Sequence, residues 1–86
     1  MSAPITLPMN TTSIAQRVDA RGLSCPLPIV RTAIAIKALN AGDLIEVLAT
    51  DPGSTKDFTA WAKTTGHELV EQSVEDGVFR FVLKRK

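Results

Sequence analysis

The chain changes from strand to helix within the segment Gly22-Leu23-Ser24-Cys25-Pro26-Leu27-Pro28, which leads into Ile29-Val30-Arg31-Thr32-Ala33-Ile34. Proline is tolerated in the first turn of a helix, where backbone N–H groups have no intrahelical partner. Both prolines therefore fit the first turn of a helix that we predict over residues 26–39. Gly22 lets the chain turn sharply just before it. The segment predicts a tight corner between a strand and a helix.

The only cysteine of the chain, Cys25, lies at this corner, at or next to the N-cap of the predicted helix. Free N–H groups and the positive end of the helix dipole stabilise an anion there, so we expect the pKa of the thiol to be lower than that of a free cysteine. A lone cysteine is also commonly a small buried hydrophobic residue. The polar neighbour Ser24 and the rigid prolines favour the other interpretation, an exposed reactive thiol.

The segment resembles the G-L-x-C-P-x-P signature of the TusA-type (SirA-like) sulfur-carrier family, with Asp19 upstream. The C-P-x-P element is specific when it lies between a strand and a helix. The resemblance covers residues 14–86. Further matches follow in chain order: Gly42 after the helix, Asp51-Pro52 after a strand, Gly66-His67-Glu68-Leu69, and Lys84-Arg85-Lys86 at the end of a hairpin.

This resemblance implies that Cys25 carries sulfur as a persulfide that passes between proteins, as a carrier rather than a turnover enzyme. It implies no cofactor and no metal, since sulfur is the cargo. The implied partners are a sulfur donor, such as a cysteine desulfurase or a rhodanese, and an acceptor protein. Members of this family serve tRNA thiolation, cofactor sulfuration and sulfur-oxidation relays, so the pathway stays open.

Several residues around Cys25 are candidates for positioning the thiol. Asp19 lies six residues before it, where a carboxylate either raises the thiol pKa or orders the loop by bonding backbone N–H groups; we favour loop ordering. Asp51 ends the second strand, and the ends of parallel strands meet at one sheet edge, so we expect Asp51 near Cys25. Turn chemistry explains Asp51-Pro52-Gly53 equally well. The remaining positioning candidates are Gly22, Leu23, Pro26 and Pro28.

The helix after Cys25 is apolar nearly all round, which leaves apolar surface exposed beside the thiol. One interpretation is a docking surface for a partner that must reach the sulfur; the other is that its alanines are merely good helix formers. We take Leu27, Arg31 and Phe58 as candidate partner contacts. A lone exposed cation such as Arg31 is more often simply solvated, and the spacing of Phe58 within the second helix predicts that it faces the sheet.

The rest of the chain predicts a βαβαββ order. This order is typical of a two-layer α/β (α+β) sandwich with a mixed four-stranded sheet and both helices on one face. The resemblance implies the same fold, which is shared with the C-terminal domain of bacterial translation initiation factor three. We predict one domain over residues 14–86 after a disordered tail at 1–13. The other elements are strands at 14–20, 44–50, 67–74 and 78–84, a helix from the N-cap Ser54 to Thr65 with Gly66 as its stop, and a hairpin turn at Asp76-Gly77.

The composition and charge of the chain exclude several kinds of functional site. The 86 residues are 44% hydrophobic and 22% charged, with a net charge of +1, which gives no electrostatic footprint for nucleic acid. One cysteine excludes an intrachain disulfide and a C-x-x-C dithiol, and one histidine, His67, excludes a metal cluster of Cys and His alone. No signal peptide or apolar stretch of about 20 residues is present, so we expect a cytoplasmic monomer away from membranes.

Two functions of other classes stay open beside the sulfur carrier. In the first, Cys25 is structural and the apolar first helix docks a partner in a regulatory or binding module. In the second, Cys25 is a redox-sensing thiol that forms an intermolecular disulfide. Neither the residues nor the resemblance names the partner.

Overall fold

The structure, a computed structural model, describes residues 13–86, so the predicted tail lies outside the described residues except for Ser13. Its element order confirms the predicted βαβαββ arrangement. Neither helix within residues 13–86 has the length and apolar character needed to cross a bilayer. The elements are β1 (Ile14–Ala20), α1 (Leu27–Ile36), β2 (Leu44–Ala49), α2 (Ser54–Thr65), β3 (Glu68–Glu75) and β4 (Val78–Lys84).

The four strands form one mixed sheet in the order β1-β2-β4-β3. β1 and β2 run parallel, with Val18 opposite Val47 and Ala20 opposite Ala49. β4 is antiparallel to both of its neighbours, β2 and β3. The edges of the sheet are therefore β1 on one side and β3 on the other, and the carboxyl ends of β1 and β2 point to the same end of the molecule.

The core lies between this sheet and the two helices, which pack on one face. Alternation along β2 turns Ile45, Val47 and Ala49 inward, and all three are buried. The ring of Phe58 from α2 stacks on Phe81 from β4 with 4.6 Å between ring centroids. The predicted two-layer sandwich is thus confirmed.

The first helix ends at Ile36, three residues earlier than predicted. The side chain of Arg85 donates a hydrogen bond from Nε to the Ile36 carbonyl at 3.0 Å, which satisfies a carbonyl at the helix end. The chain then continues in tighter turns, with Leu39 donating to the Ile36 carbonyl at 3.1 Å. Local helix propensity predicts a longer helix. The end at Ile36 is instead set by a contact with Arg85, which is distant in sequence.

The second helix matches its predicted bounds, but its N-cap is Gly53 rather than Ser54. Ser54 is the first helical residue; its side chain is buried, and its hydroxyl has no hydrogen-bond partner within residues 13–86. Gly66 ends the helix as predicted, in the left-handed conformation with φ 86°, and donates to the Ala62 carbonyl at 2.9 Å.

A ladder of ion pairs crosses all four strands on the face opposite the helices. Arg17 on β1 donates to Glu46 on β2 at 3.0 Å, Arg80 on β4 donates to the same carboxylate at 2.6 Å, and Arg80 also donates to Glu71 on β3 at 3.0 Å. Burial by itself would raise the pKa of Glu46, but the bonds from Arg80 and Arg17 hold it below its usual range. Charge pairing therefore ties the four strands together on the open face.

Leu83→Ala tests the core. Leu83 is 0% exposed, so we expect the free energy of unfolding to fall by about 2–5 kcal/mol, since lost burial and a residual cavity both destabilise. Val74→Ala, at a site that is 61% exposed, is the control and should change stability by less than about 0.5 kcal/mol. Urea unfolding of the three proteins measures this, and equal losses in the two variants would contradict the described packing.

Glu46→Gln tests the ladder by removing the negative charge between two arginines. We expect the free energy of unfolding at pH 7 to fall by about 1–2 kcal/mol, because hydrogen bonds to charged groups stabilise more than neutral ones. The folded-state pKa of Glu46 is lowered, so its contribution is present above the unfolded-state pKa and is lost as the pH falls through the folded-state pKa. Urea unfolding at pH 7 and at about pH 3 should show the gap to wild type closing in acid; an equal gap at both values would contradict this.

Candidate functional site

Cys25 lies exposed in the connection between β1 and α1, one residue before the N-cap Pro26, as the sequence predicted. Two contacts hold this connection in place. Gly22, at φ 81°, donates its N–H to the Thr50 hydroxyl at 2.8 Å, which ties the loop to the end of β2. Leu23 is partly buried against the core. The sulfur is therefore presented at one end of the sheet by a loop that is anchored just before the cysteine.

The start of α1 offers the sulfur fewer free N–H groups than predicted. The Leu27 N–H donates to the Ser24 carbonyl at 2.9 Å, and the Val30 N–H donates to the Pro26 carbonyl at 3.0 Å. Pro26 and Pro28 have no N–H to donate. The prolines that begin the helix therefore also weaken it as an anion site.

Two carboxylates approach the thiol from the side of α2. Asp57 lies in the first turn of that helix, and Asp51 follows β2. The Asp57 carboxylate as hydrogen-bond acceptor, partial loss of hydration, and the negative charges of Asp57 and Asp51 raise the pKa of the Cys25 thiol. The prediction of a more acidic thiol was wrong, because carboxylates brought in by the fold outweigh the proline-rich helix start.

Asp51 lies near Cys25 and also orders the turn after β2, the two roles that its position in the sequence suggested. Its charge acts on Cys25, as expected where two parallel strands end together. Its Oδ2 also accepts the Gly53 N–H at 3.1 Å, which is the turn chemistry of an Asp-Pro-Gly sequence. One carboxylate therefore serves the turn and faces the thiol.

Sequence reasoning missed Asp57 as a neighbour of the thiol. The available signal was topological: α2 begins directly after Asp51, so its first turn lies at the same sheet end as Cys25. The absence of a side chain at Gly53 leaves room for the carboxylates, since a Cβ there would lie 3.2 Å from Asp51 Oδ2 and 3.7 Å from Asp57 Oδ2. Within residues 13–86, no three His, Cys, Asp or Glu side chains are grouped to hold a metal ion.

Asp19 faces its own loop rather than the thiol. It accepts hydrogen bonds from the Arg21 side chain at 2.8 and 2.9 Å and from the Arg21 N–H at 3.2 Å. The bonds from the Arg21 side chain and N–H lower the pKa of Asp19 to about 2. Of the two roles considered for Asp19, the geometry supports loop ordering.

The candidate partner contacts divide into exposed and buried residues. Leu27 and Arg31 are exposed and line an open groove of about 380 Å³ between α1 and β1. Phe58 is 0% exposed, so its assignment as a partner contact was wrong. It stacks on Phe81 inside the core, as its helical spacing indicated. His67 lies at the far end of the sheet, where its Nδ1 accepts the Lys86 N–H at 3.0 Å.

Comparison with known proteins identifies the family. A family model described as Sulfurtransferase TusA matches residues 16–85. The chain belongs to the TusA family. The sulfur carrier protein TusA of Allochromatium vinosum is 51% identical over 70 residues, which cover 81% of this chain and 92% of that protein. The putative sulfur carrier protein YrkI of Bacillus subtilis is 47% identical over 68 residues, which cover 79% of this chain and 91% of that protein.

A solved structure has the same TusA-family fold. The SirA-like protein of Desulfitobacterium hafniense superposes with a TM-score of 0.72 at 28% sequence identity. The match covers 80% of this chain and 95% of that one. These findings confirm the resemblance inferred from the G-L-S-C-P-L-P segment and the fold expected from it.

Asp57→Asn tests the environment of the thiol in this TusA-family protein. The substitution removes a negative charge while keeping the side-chain shape, so we expect the pKa of Cys25 to fall. Alkylation by iodoacetamide at neutral pH should then become about 3- to 10-fold faster, because the thiolate is the reacting species. The alkylation rate, followed by mass spectrometry across the pH range, measures the shift.

Glu68→Gln is the matched control, since it removes one negative charge at the opposite end of the sheet. Its pH profile should coincide with that of wild type. An Asp57→Asn profile with the wild-type midpoint would contradict the assignment of Asp57 as the main cause of the raised pKa.

Proposed function

We propose that this TusA-family protein carries sulfane sulfur as a persulfide on Cys25 and relays it from a donor protein to an acceptor protein. The observation that carries the proposal is the exposed position of the chain's only thiol, held at the corner between β1 and α1 by a loop anchored at Gly22 and Leu23. Sulfur exchange needs an accessible thiol that an attacking group can approach in line. The names of the matched relatives, as sulfur carriers, support the same conclusion.

The relay consists of two exchange steps. In the first, the Cys25 thiolate attacks the terminal sulfur of a donor persulfide; the new S–S bond forms as the donor's S–S bond breaks, and the donor leaves as a thiolate. In the second, an acceptor thiolate attacks the outer sulfur on Cys25, and Cys25 leaves as a thiolate that regains its proton. No net oxidant or reductant is consumed. With one cysteine in the chain, no internal thiol competes as acceptor.

The two carboxylates near Cys25 act on the exchange through the pKa of its thiol. The raised pKa keeps the unloaded thiol protonated around neutral pH, which protects it from unspecific oxidation. Because the thiolate is both the attacking and the leaving species, the raised pKa slows both exchange steps at neutral pH.

The other motif residues position the thiol in this proposal. Gly22 and Leu23 anchor the loop, Pro26 and Pro28 begin α1, and Asp19 orders the segment before the loop through Arg21. The protein acts as a monomeric carrier without a cofactor. A cysteine desulfurase or a rhodanese is the proposed class of donor.

The direct test is the intact mass of purified wild-type and Cys25→Ser protein after incubation with a cysteine desulfurase and cysteine, with a rhodanese and thiosulfate, or with sodium polysulfide. We expect an adduct of ~32 Da on wild type alone, removed by reductant. Cys25→Ser keeps the shape of the site but lacks the sulfur nucleophile.

Two results would contradict the carrier proposal. One is the absence of an adduct from every donor on a wild-type protein whose thiol is still alkylated by iodoacetamide. The other is a covalent dimer as the only product, which would favour the redox-sensing thiol instead. An equal adduct on Cys25→Ser would place the sulfur elsewhere.

A further inference from the structure

The strand β3 forms the edge of the sheet that lies farthest from β1, and one side of its backbone has no strand neighbour within residues 13–86. Every residue of β3 except Leu69 is exposed. The strand is therefore open to solvent on both of its faces as well as along its free edge. Unpaired N–H and C=O groups along such an edge are a template for pairing with a further strand.

The register with β4 assigns the residues of β3 to the two faces of the sheet. Gln72 lies opposite Phe81, whose ring stacks on α2, so Gln72 is on the face that carries the helices, here called the helix face. Val74, two residues further along the strand, is on the same face. The residues that alternate with them lie on the open face: Glu71, Ser73 and Glu75.

On the helix face, a groove of about 240 Å³ lies between β3 and the start of α2. We call it the β3 groove; its lining residues are Thr55, Gln72, Ser73, Val74 and Phe81. Val74 is 61% exposed, an unusual position for a branched apolar side chain. An apolar side chain from a strand added beside β3 would cover Val74 and fill this groove.

On the open face, the same stretch of β3 is acidic. Glu75, and Asp76 in the turn after it, make no ion pair in the part of the chain that the structure describes. Glu71 shares Arg80 with the ladder, at 3.0 Å. β3 itself contains no lysine or arginine, and Lys84 lies at the other end of the β3–β4 pair. A basic side chain on an added strand therefore matches this face.

A second copy of this chain does not fit the same edge. Antiparallel pairing of two β3 edges continues the open face of one copy into the open face of the other. The carboxylates of Glu71 and Glu75 would then lie against those of the second copy, and like charges on adjacent strands destabilise their pairing. The edge suits a strand of opposite charge.

We infer that the free edge of β3 binds an extended segment of a partner protein in which basic and apolar residues alternate. The segment adds a fifth strand to the sheet by backbone pairing, and its alternation gives the specificity. Its apolar residues enter the β3 groove beside Val74, and its lysines or arginines lie beside Glu71 and Glu75. The inference goes beyond the proposed function and does not depend on sulfur transfer.

A partner held at this edge leaves the thiol uncovered. Ala20, Ala49, Phe79 and Val74 form one row across the four strands, at the end of the sheet that carries Cys25. Since neighbouring strands are about 4.8 Å apart, a fifth strand beside Val74 lies about 19 Å from β1. The partner is therefore tethered at the thiol's end of the sheet, with Cys25 free for exchange.

Synthetic peptides test the inference on the full-length protein. The probe is a short peptide in which lysine and valine alternate. One control peptide has glutamate in place of every lysine. The other has the same composition as the probe, with all lysines before all valines, so that its charge is kept and its alternation is lost. Fluorescence anisotropy of the labelled peptides measures affinity, and amide hydrogen exchange of the protein locates the bound peptide.

We expect the alternating probe to bind at least about 10-fold more tightly than either control peptide, because only the probe matches both faces of β3. Amide exchange should slow in β3 and stay unchanged in β1, the other edge strand. Val74→Lys places a positive charge in the β3 groove and should weaken binding of the probe at least about 10-fold. Ile34→Lys makes the same change at a site on α1 that is 67% exposed, and should bind like wild type.

Four results would overturn the inference: no saturable binding of the probe, equal binding of the probe and the control peptide of the same composition, slowed exchange elsewhere than in β3, and equal binding by the Val74→Lys and Ile34→Lys proteins. A wild-type dimer that Val74→Lys converts to monomer would assign the edge to a second copy and would overturn it as well. None of these measurements involves the thiol, so the proposed function stands or falls separately, on the mass of the loaded protein.

Discussion

Parallel pairing of β1 with β2 is the constraint on which the site depends. Val18 faces Val47 and Ala20 faces Ala49, so both strands finish at the same end of the sheet. The loop that follows β1 carries Cys25, and the turn that follows β2 carries Asp51 and leads directly into α2. Because a parallel pair requires a crossover, α1 must run back along the sheet from the thiol. The thiol, the carboxylates and both helix starts meet for this reason.

A helix start and nearby carboxylates have opposite effects on the pKa of the Cys25 thiol, and the fold sets which of them lies at the sulfur. A helix start stabilises an anion through its free N–H groups and dipole. In α1 those groups are depleted, since the N-cap Pro26 and the first-turn residue Pro28 have no N–H and the Leu27 N–H is bonded to the Ser24 carbonyl. The Asp57 carboxylate lies beside the thiol, and as hydrogen-bond acceptor it raises the pKa of Cys25. The sequence C-P-x-P thus builds a rigid corner at the cost of an anion site.

The first helix divides its apolar surface between the core and the solvent. Thr32, a polar residue, is buried because its hydroxyl donates to the Pro28 carbonyl at 2.8 Å and so needs no other partner. Ile34, an apolar residue, is left outside. A simple count of polar and apolar residues along α1 cannot separate these sides. The inward side of α1 supports the fold, and the outward side leaves Leu27, Val30 and Ile34 exposed beside the thiol.

The sequence by itself determined the order of the elements, the position of Cys25 at a strand-to-helix corner and the family, because these depend on local signals: proline and glycine placement, alternation along strands and a short specific motif. Only the tertiary structure decided the raised pKa of Cys25, the burial of Phe58 and the end of α1 at Ile36. Each of these depends on a group more than 20 residues away in the chain, Asp57, Phe81 and Arg85 respectively, and no local pattern encodes which distant side chain will arrive.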